Sequence, residues 1–299
     1  MSRSFSSAAT LDDALSAIAA GARPVAGGTD LVVGARQGKA ALPGAIVAID
    51  RIDALRGIAH TGEHTTVGAL VTHEDLVADA TVRERLTAIA DACAIVGSHA
   101  TRAQGTIGGN VMNASPAMDA GGPLLCFDAT VILRSQAGER TVGLAELWTG
   151  PGSTVASPQE LLTSIHVPTP AVGTGSAYVR LEYRRQMEIA VVGATAVVTL
   201  DGDRVTAARV AITALAPTIR RVPEAETALV GTDGGTDAVA VAAAAAASAS
   251  VPISDVRGSA AYRTAMAEVM ARRAIGAALT RARGGSVPIP ASPALHGAN

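Results

Sequence analysis

Apolar positions at Leu11, Ala14, Leu15 and Ile18 recur at helical spacing, and Gly21 follows as a stop, so 10–21 predicts an amphipathic helix. Residues 23–26 read as a strand that breaks at Gly27-Gly28. Thr29-Asp30 and the apolar-rich 31–37 come next, so a strand, a glycine turn and a capped helix start follow one another. A second strand is expected at 45–49, and 57–68 predicts two short extended runs around a Gly62-Glu63-His64 turn. One α/β unit therefore passes into another near residue 55. Within 81–97, Val82, Leu86, Ile89, Ala90, Cys93 and Val96 predict one helix ending at Gly97. The stretch 98–119 is polar and rich in small residues.

Strands are expected at 129–133 and 161–167, and Pro168-Thr169-Pro170 with Gly173 and Gly175 reads as a linker. Beyond it, 175–183 and the pair 196–200 and 205–212, joined by Asp201-Gly202-Asp203, predict an antiparallel sheet. Helical stretches follow at 222–230, 236–250 and 259–281. The fold class read from this pattern is α+β. A two-part α/β domain spans 1–172, with subdomains of about 1–55 and 56–172. A domain of a small antiparallel sheet plus helices spans 173–283, and 284–299, with Pro288, Pro290 and Pro293, reads as a flexible tail. No repeat period of a solenoid or propeller is present.

Composition narrows the function classes. At 299 residues the chain is long enough for two domains. A net charge of -2 with 17% charged residues advertises no basic surface for nucleic acid or acidic membranes. Aromatic residues, at 2%, are too sparse for a single-strand stacking platform. Cys93 and Cys126 form no Cys-x-x-Cys pair, so this chain's thiolates build neither a zinc site nor an iron–sulfur cluster. His60, His64, His73, His99, His166 and His296 show no metal-ligand spacing, and surface or structural roles are expected of them. Cys126, within Leu124-Leu125-Cys126-Phe127, reads as a buried inert thiol, and Trp148 as a packing anchor. Arg184-Arg185 and Arg272-Arg273 read as solvated faces. The start lacks a signal-peptide apolar run and the Ala-rich 238–247 is too short to span a bilayer, so a cytoplasmic protein without membrane insertion is expected.

The candidate chemistry lies in two glycine loops. A diphosphate needs backbone N–H groups that close on it from several sides, and glycine allows that approach. Ala26-Gly27-Gly28-Thr29-Asp30 ahead of a helix start meets this need, with Thr29 as an added donor and Asp30 serving the loop's architecture. Thr106-Ile107-Gly108-Gly109-Asn110 repeats the combination and runs on to Asn113, Ser115, Pro116 and Asp119, offering donors at phosphate and acceptors at ribose or adenine. Neither loop has the spacing of a Rossmann site or a P-loop.

Together with Val67-Gly68-Ala69-Leu70-Val71-Thr72-His73, Ser115-Pro116-Ala117-Met118-Asp119, Glu160-Leu161-Leu162 and Asp255-Val256-Arg257-Gly258-Ser259 ahead of Tyr262-Arg263, these loops resemble a known family over almost the whole chain. It is the FAD-binding medium subunits of the molybdenum hydroxylases, the xanthine dehydrogenase and carbon monoxide dehydrogenase group. The resemblance implies a PCMH-type FAD domain at the N-terminus, with Val25, Ala26, Gly27, Gly28, Thr29, Asp30 and Leu31 around the pyrophosphate and adenosine. It places Thr106, Ile107, Gly108, Gly109 and Asn110 opposite, with further contacts from Asn113 and Asp119, and from Leu162 near the isoalloxazine ring. Arg180 stands where relatives often carry a Lys near the flavin, its charge favouring the reduced anionic ring, and Val96 stands where some carry an aromatic. No side chain of this chain is expected to act as a catalytic acid, base or nucleophile, and no metal ligand is expected.

The implied function is a FAD-carrying electron-transfer subunit of an oxidoreductase. A large partner holds the molybdopterin-type molybdenum cofactor, a small partner holds iron–sulfur clusters, and the acceptor is NAD, oxygen or a quinone. A dimer of heterotrimers is the implied assembly. A free-standing FAD-dependent oxidoreductase and a flavin-less assembly scaffold are the alternative readings.

Overall fold

The computed structural model describes residues 4–38 and 40–295. Its first layer is a small parallel sheet of β1 (Ser4–Ser7), β2 (Arg23–Val25) and β3 (Ala45–Ala48), in the order β1-β3-β2. The helix Leu11–Ala19 forms where the apolar spacing predicts it, and buries Ala14, Leu15 and Ile18 against Val47, Ile49 and Ile52. Thr10 caps it, its hydroxyl accepting from the Asp13 N–H at 3.1 Å.

Next come β4 (Ile58–His60) and β5 (His64–Gly68), the expected hairpin, then β6 (Thr130–Ser135) and β7 (Gly138–Gly143). A two-stranded ribbon of β8 (Trp148–Gly150) and β9 (Ser153–Thr154) leads to β10 (Leu161–Pro168). β10 inserts between β5 and β6, antiparallel to both, giving the order β4-β5-β10-β6-β7. Val67, Val131, Leu133, Ile165 and Val167 all point into one apolar core, the strand period of two at work.

The single helix expected over 81–97 is two, Ala80–Arg85 and Thr87–Ala94. Leu86, at φ -114° and ψ 39°, interrupts the spiral while keeping its side chain buried, so the apolar period survives the break. Gly97, at φ +53°, turns the chain after it.

The C-terminal part is an antiparallel sheet of β11 (Thr174–Leu181), β12 (Val192–Asp201), β13 (Arg204–Thr213) and β14 (Arg220–Arg221), in chain order. β12 begins four residues earlier than the 196–200 run predicted, because Val192 and Ala194 pair with Leu181 and Val179. The helices Pro223–Leu229, Thr236–Ser248 and Ala260–Ala282 cover one face and share its core. Tyr178, Val197, Ala211 and Ile219 belong instead to the core of the preceding sheet, so apolar packing runs across the seam.

Polar contacts fasten that seam. Asp91, fully buried, accepts from both terminal nitrogens of Arg281 (2.6 and 3.0 Å), from Tyr178 N–H (3.2 Å) and from Ala291 N–H (3.0 Å). The flexible tail expected from Gly284 is thereby corrected over much of its described part. Arg281 donates to the Val287 and Pro288 carbonyls, and buried Ser292 accepts from Arg180 N–H at 2.8 Å. The tail closes with a short helix, Ala291–Leu295, and Arg281, Asp91 and the Arg180 backbone supply partners for the tail's polar groups. Residues 296–299, including His296, lie outside the described residues.

Candidate functional site

Parallel pairing on β3 brings β2 to its end at Val25, whose carbonyl accepts from Ile49 N–H at 3.0 Å. The first glycine loop leaves from there. A Cβ on Gly27 would lie 1.8 Å from the Gln104 carbonyl oxygen and 2.6 Å from its carbon, so this position has no room for a side chain. Gly28 has φ +69°, the left-handed region that favours glycine. A Cβ on Gly105 would come 3.5 Å from the Thr29 hydroxyl. The fold thus presses the first loop against the backbone that leads into the second. Among the described residues, no protein acceptor answers the backbone N–H groups of Gly27, Gly28 and Thr29. Unspent backbone donors are what an anionic group needs.

The helix start differs from the expected one. Leu31–Arg36 is helical, but Asp30 supplies no side-chain cap. The helix buries none of its residues, and Val32 and Val33 are exposed.

The second loop opens the helix Ile107–Met112, with Thr106 as its cap, accepting from Gly109 N–H at 3.1 Å. Its expected phosphate donors are largely engaged. Ile107 N–H goes to Val71 O (2.9 Å), Gly108 N–H to Ala69 O (3.1 Å) and Asn110 N–H to Thr106 O (2.9 Å). Asn110 Oδ1, by contrast, is buried without a hydrogen-bond partner, a costly state that a bound hydroxyl or N–H donor would relieve. Asn113 is exposed nearby on the same run.

His73 supports this loop from below. Its N–H donates to Gly105 O at 3.1 Å, and its Nδ1 lies 3.4 Å from Cys93 Sγ. Burial, aided by the nearby Arg102 charge, lowers its pKa to about 4, so the ring is neutral at pH 7. Burial likewise pushes the Cys93 and Cys126 thiols up, which keeps both inert. Trp148 is buried, its indole N–H donating to Val111 O at 3.0 Å on the helix that follows the loop.

Leu162 lies in β10, with 2% of its surface exposed. The neighbouring Thr163 carbonyl accepts from Ala69 N–H, and the Ala69 carbonyl accepts from Gly108 N–H, so Leu162 belongs to the layer beneath the second loop.

Asp119 and Arg180 are brought together. Arg180 is fully buried and donates to Asp119 Oδ2 at 2.8 Å and to Glu182 Oε2 at 2.5 Å. The Tyr178 hydroxyl donates to Asp119 Oδ1 at 2.7 Å. Burial pushes the Asp119 carboxyl up, while Arg180 and the Tyr178 hydrogen bond pull it back. Two carboxylates thus sit on the Arg180 guanidinium, so its charge is opposed within the chain. Sequence reading passed over Tyr178 and Glu182, although residues 178, 180 and 182 share one face of an extended run. It also passed over Arg102, buried just ahead of the second loop.

These residues fit a dinucleotide: open N–H groups on one loop, an unanswered amide oxygen on the other, and a contact between them that excludes side chains. No group of metal-binding side chains occurs among the described residues.

Residues 2–170 match the family model described as FAD binding domain in molybdopterin dehydrogenase, and 177–278 match the CO dehydrogenase flavoprotein C-terminal domain. The chain is similar to the carbon monoxide dehydrogenase medium chain of Afipia carboxidovorans, 34% identical over 88% of this chain and 90% of that one. It is also similar to the xanthine dehydrogenase FAD-binding subunit of Escherichia coli O157:H7, at 28% identity over 94% and 97% of the two. Among solved structures, a carbon monoxide dehydrogenase from Hydrogenophaga pseudoflava superposes with a TM-score of 0.90 at 32% identity, covering 94% of this chain and 98% of that one.

Proposed function

Because this chain belongs to the family of FAD-binding domains of molybdopterin dehydrogenases, we propose that it is the FAD-carrying electron-transfer subunit of a heteromeric molybdenum hydroxylase. It would receive electrons from iron–sulfur clusters on a small partner, fed by a molybdenum cofactor on a large one. It would deliver them to NAD, oxygen or a quinone. The observation that carries the reading is the contact between Gly27 and the Gln104 carbonyl, which joins the two loops around a set of unspent N–H donors.

Bound FAD supplies the redox chemistry. The chain's own residues bind and orient. Gly27, Gly28 and Thr29 present N–H groups to the diphosphate, with Val25, Ala26, Asp30 and Leu31 shaping the turn. Ile107 and Gly108 hold the second wall through bonds to Val71 and Ala69, and Gly109 N–H donates to the Thr106 hydroxyl, leaving Asn110 Oδ1 and Asn113 for cofactor hydroxyls or amino groups. Asp119, Leu162 and Arg180 form the ring-side half, where buried packing excludes water. No acid–base dyad is required of them.

The division at about residue 172 and assembly as a dimer of heterotrimers in the cytoplasm belong to the same proposal. Among the described residues no helix is long and apolar enough to cross a membrane. The test is direct: the purified chain should show flavin absorbance, or acquire it on titration with FAD. Native mass spectrometry should find a large chain and a cysteine-rich small chain bound to it. A chain that never takes up FAD yet keeps those partners is the scaffold. Turnover by the isolated chain marks the free-standing enzyme.

A further inference from the structure

The anionic diphosphate is assigned backbone donors by the reading above, but no cation. One buried cation lies in the segment just ahead of the second loop. Arg102 ends the short helix His99–Arg102, with only 7% of its surface exposed. Its guanidinium donates to the Val96 carbonyl at 3.1 Å and to His99 Nδ1 at 3.0 Å. Its carboxylate neighbour is Glu74, 3.6 Å away from Nε, and that side chain is 50% exposed. The charge is therefore only partly compensated, and on the solvent side.

The location connects this charge to the site. Two residues on, the Gln104 carbonyl abuts Gly27. A Cβ on Gly105 would come 3.4 Å from the His73 ring and 3.5 Å from the Thr29 hydroxyl, and the Gly105 N–H is held by Thr101 O. The field of Arg102 reaches His73, second to burial among the causes that lower its pKa. A buried positive charge thus lies two residues ahead of the segment where the two loops meet.

We infer that Arg102 is the electrostatic counter-charge and positioning residue of the diphosphate half of the FAD site, with Glu74 as a partial brake on it. This rests on the FAD-binding reading. Arg102 acts in two ways: its bonds to Val96 and His99 fix the segment that leads to Gln104, and its charge favours an anion across that segment.

The experiment titrates FAD into apo forms of the full chain, at several salt concentrations. Arg102→Met should weaken FAD binding about tenfold and flatten its salt dependence, while Arg102→Lys recovers most of the salt dependence. Glu74→Gln should tighten binding about twofold, a change in the opposite direction that a bracing role alone does not produce. If Arg102→Met fails to fold, Glu74→Gln decides. Unchanged affinity in Glu74→Gln, or a loss in Arg102→Met with the wild-type salt dependence intact, overturns the inference while leaving the flavin reading standing. A wild-type chain that binds no FAD overturns both.

Discussion

Gly27→Ala adds one methyl group where the structure leaves no volume. That carbon would stand 1.8 Å from Gln104 O, 2.6 Å from its carbonyl carbon and 3.3 Å from Gly105 N, all backbone atoms. The obstructing segment is pinned, since Gly105 N–H bonds to Thr101 O at 2.6 Å and Gly105 O accepts from His73 N–H. The first loop must therefore move away, carrying its open N–H groups with it. Overpacking of this kind costs about 1–3 kcal/mol. Charged against cofactor binding at about 1.4 kcal/mol per decade, it predicts FAD bound about 5- to 150-fold more weakly. Fold stability should change little, because Gly27 is only half-buried and belongs to no apolar core. The assay is quenching of flavin fluorescence on titration of apo-protein, with circular dichroism to check the fold. Gly28→Ala provides a graded comparison: its Cβ meets only ordinary contacts at 3.4 and 3.5 Å, and the cost is the left-handed backbone, about 1–2 kcal/mol. Gly62→Ala, with nothing within 4 Å, is the neutral control. If Gly27→Ala binds FAD as tightly as Gly62→Ala, the loops do not cooperate in holding the cofactor and the site is wrongly placed.

Three further outcomes are expected. Asp119→Asn removes a carboxylate shared by buried Arg180 and Tyr178 and should lower the unfolding free energy by about 3 kcal/mol in a urea titration; no change would show that Glu182 alone satisfies Arg180. His73, at a pKa of about 4 against 6.5 when unfolded, binds its proton more readily in the unfolded chain, so its contribution is full above pH 6.5 and is lost as pH falls toward 4. A His73→Gln chain should lack that part of the pH dependence, and an imidazole resonance titrating near 6.5 in the folded wild type would contradict it. Glu160, held at about 2 chiefly by its hydrogen bond from Arg140, has the depressed carboxylate pattern: its stabilisation is present above 4.5 and lost as pH falls toward 2. The stability difference between wild type and Glu160→Gln should shrink across that window, by a small amount given the exposed Arg140.

Local chemistry made part of this protein legible without coordinates. The Leu11, Ala14, Leu15, Ile18 spacing, the hairpin around Gly62-Glu63-His64 and the long Ala260–Ala282 helix depend on neighbours a few positions apart, and periodicity reports such neighbours directly. The chemistry of the two glycine loops is local in the same sense, since their residue types advertise tight turns and open donors. Where the donors are spent is another matter. Ile107 and Gly108 use theirs on residues 71 and 69, while among the described residues no protein acceptor answers that of Gly27. The split at Leu86, the insertion of β10 between β5 and β6, and the docking of 287–292 on Asp91, Arg281 and Arg180 likewise rest on partners distant in the chain. So does the pairing of Arg180 with Asp119, 61 positions away. Sequence by itself determined most of the element types, the family and the two loops proposed to hold the cofactor. Tertiary structure decided which of their polar groups remain available, because burial and charge compensation are properties of what packs against a residue, not of the residue.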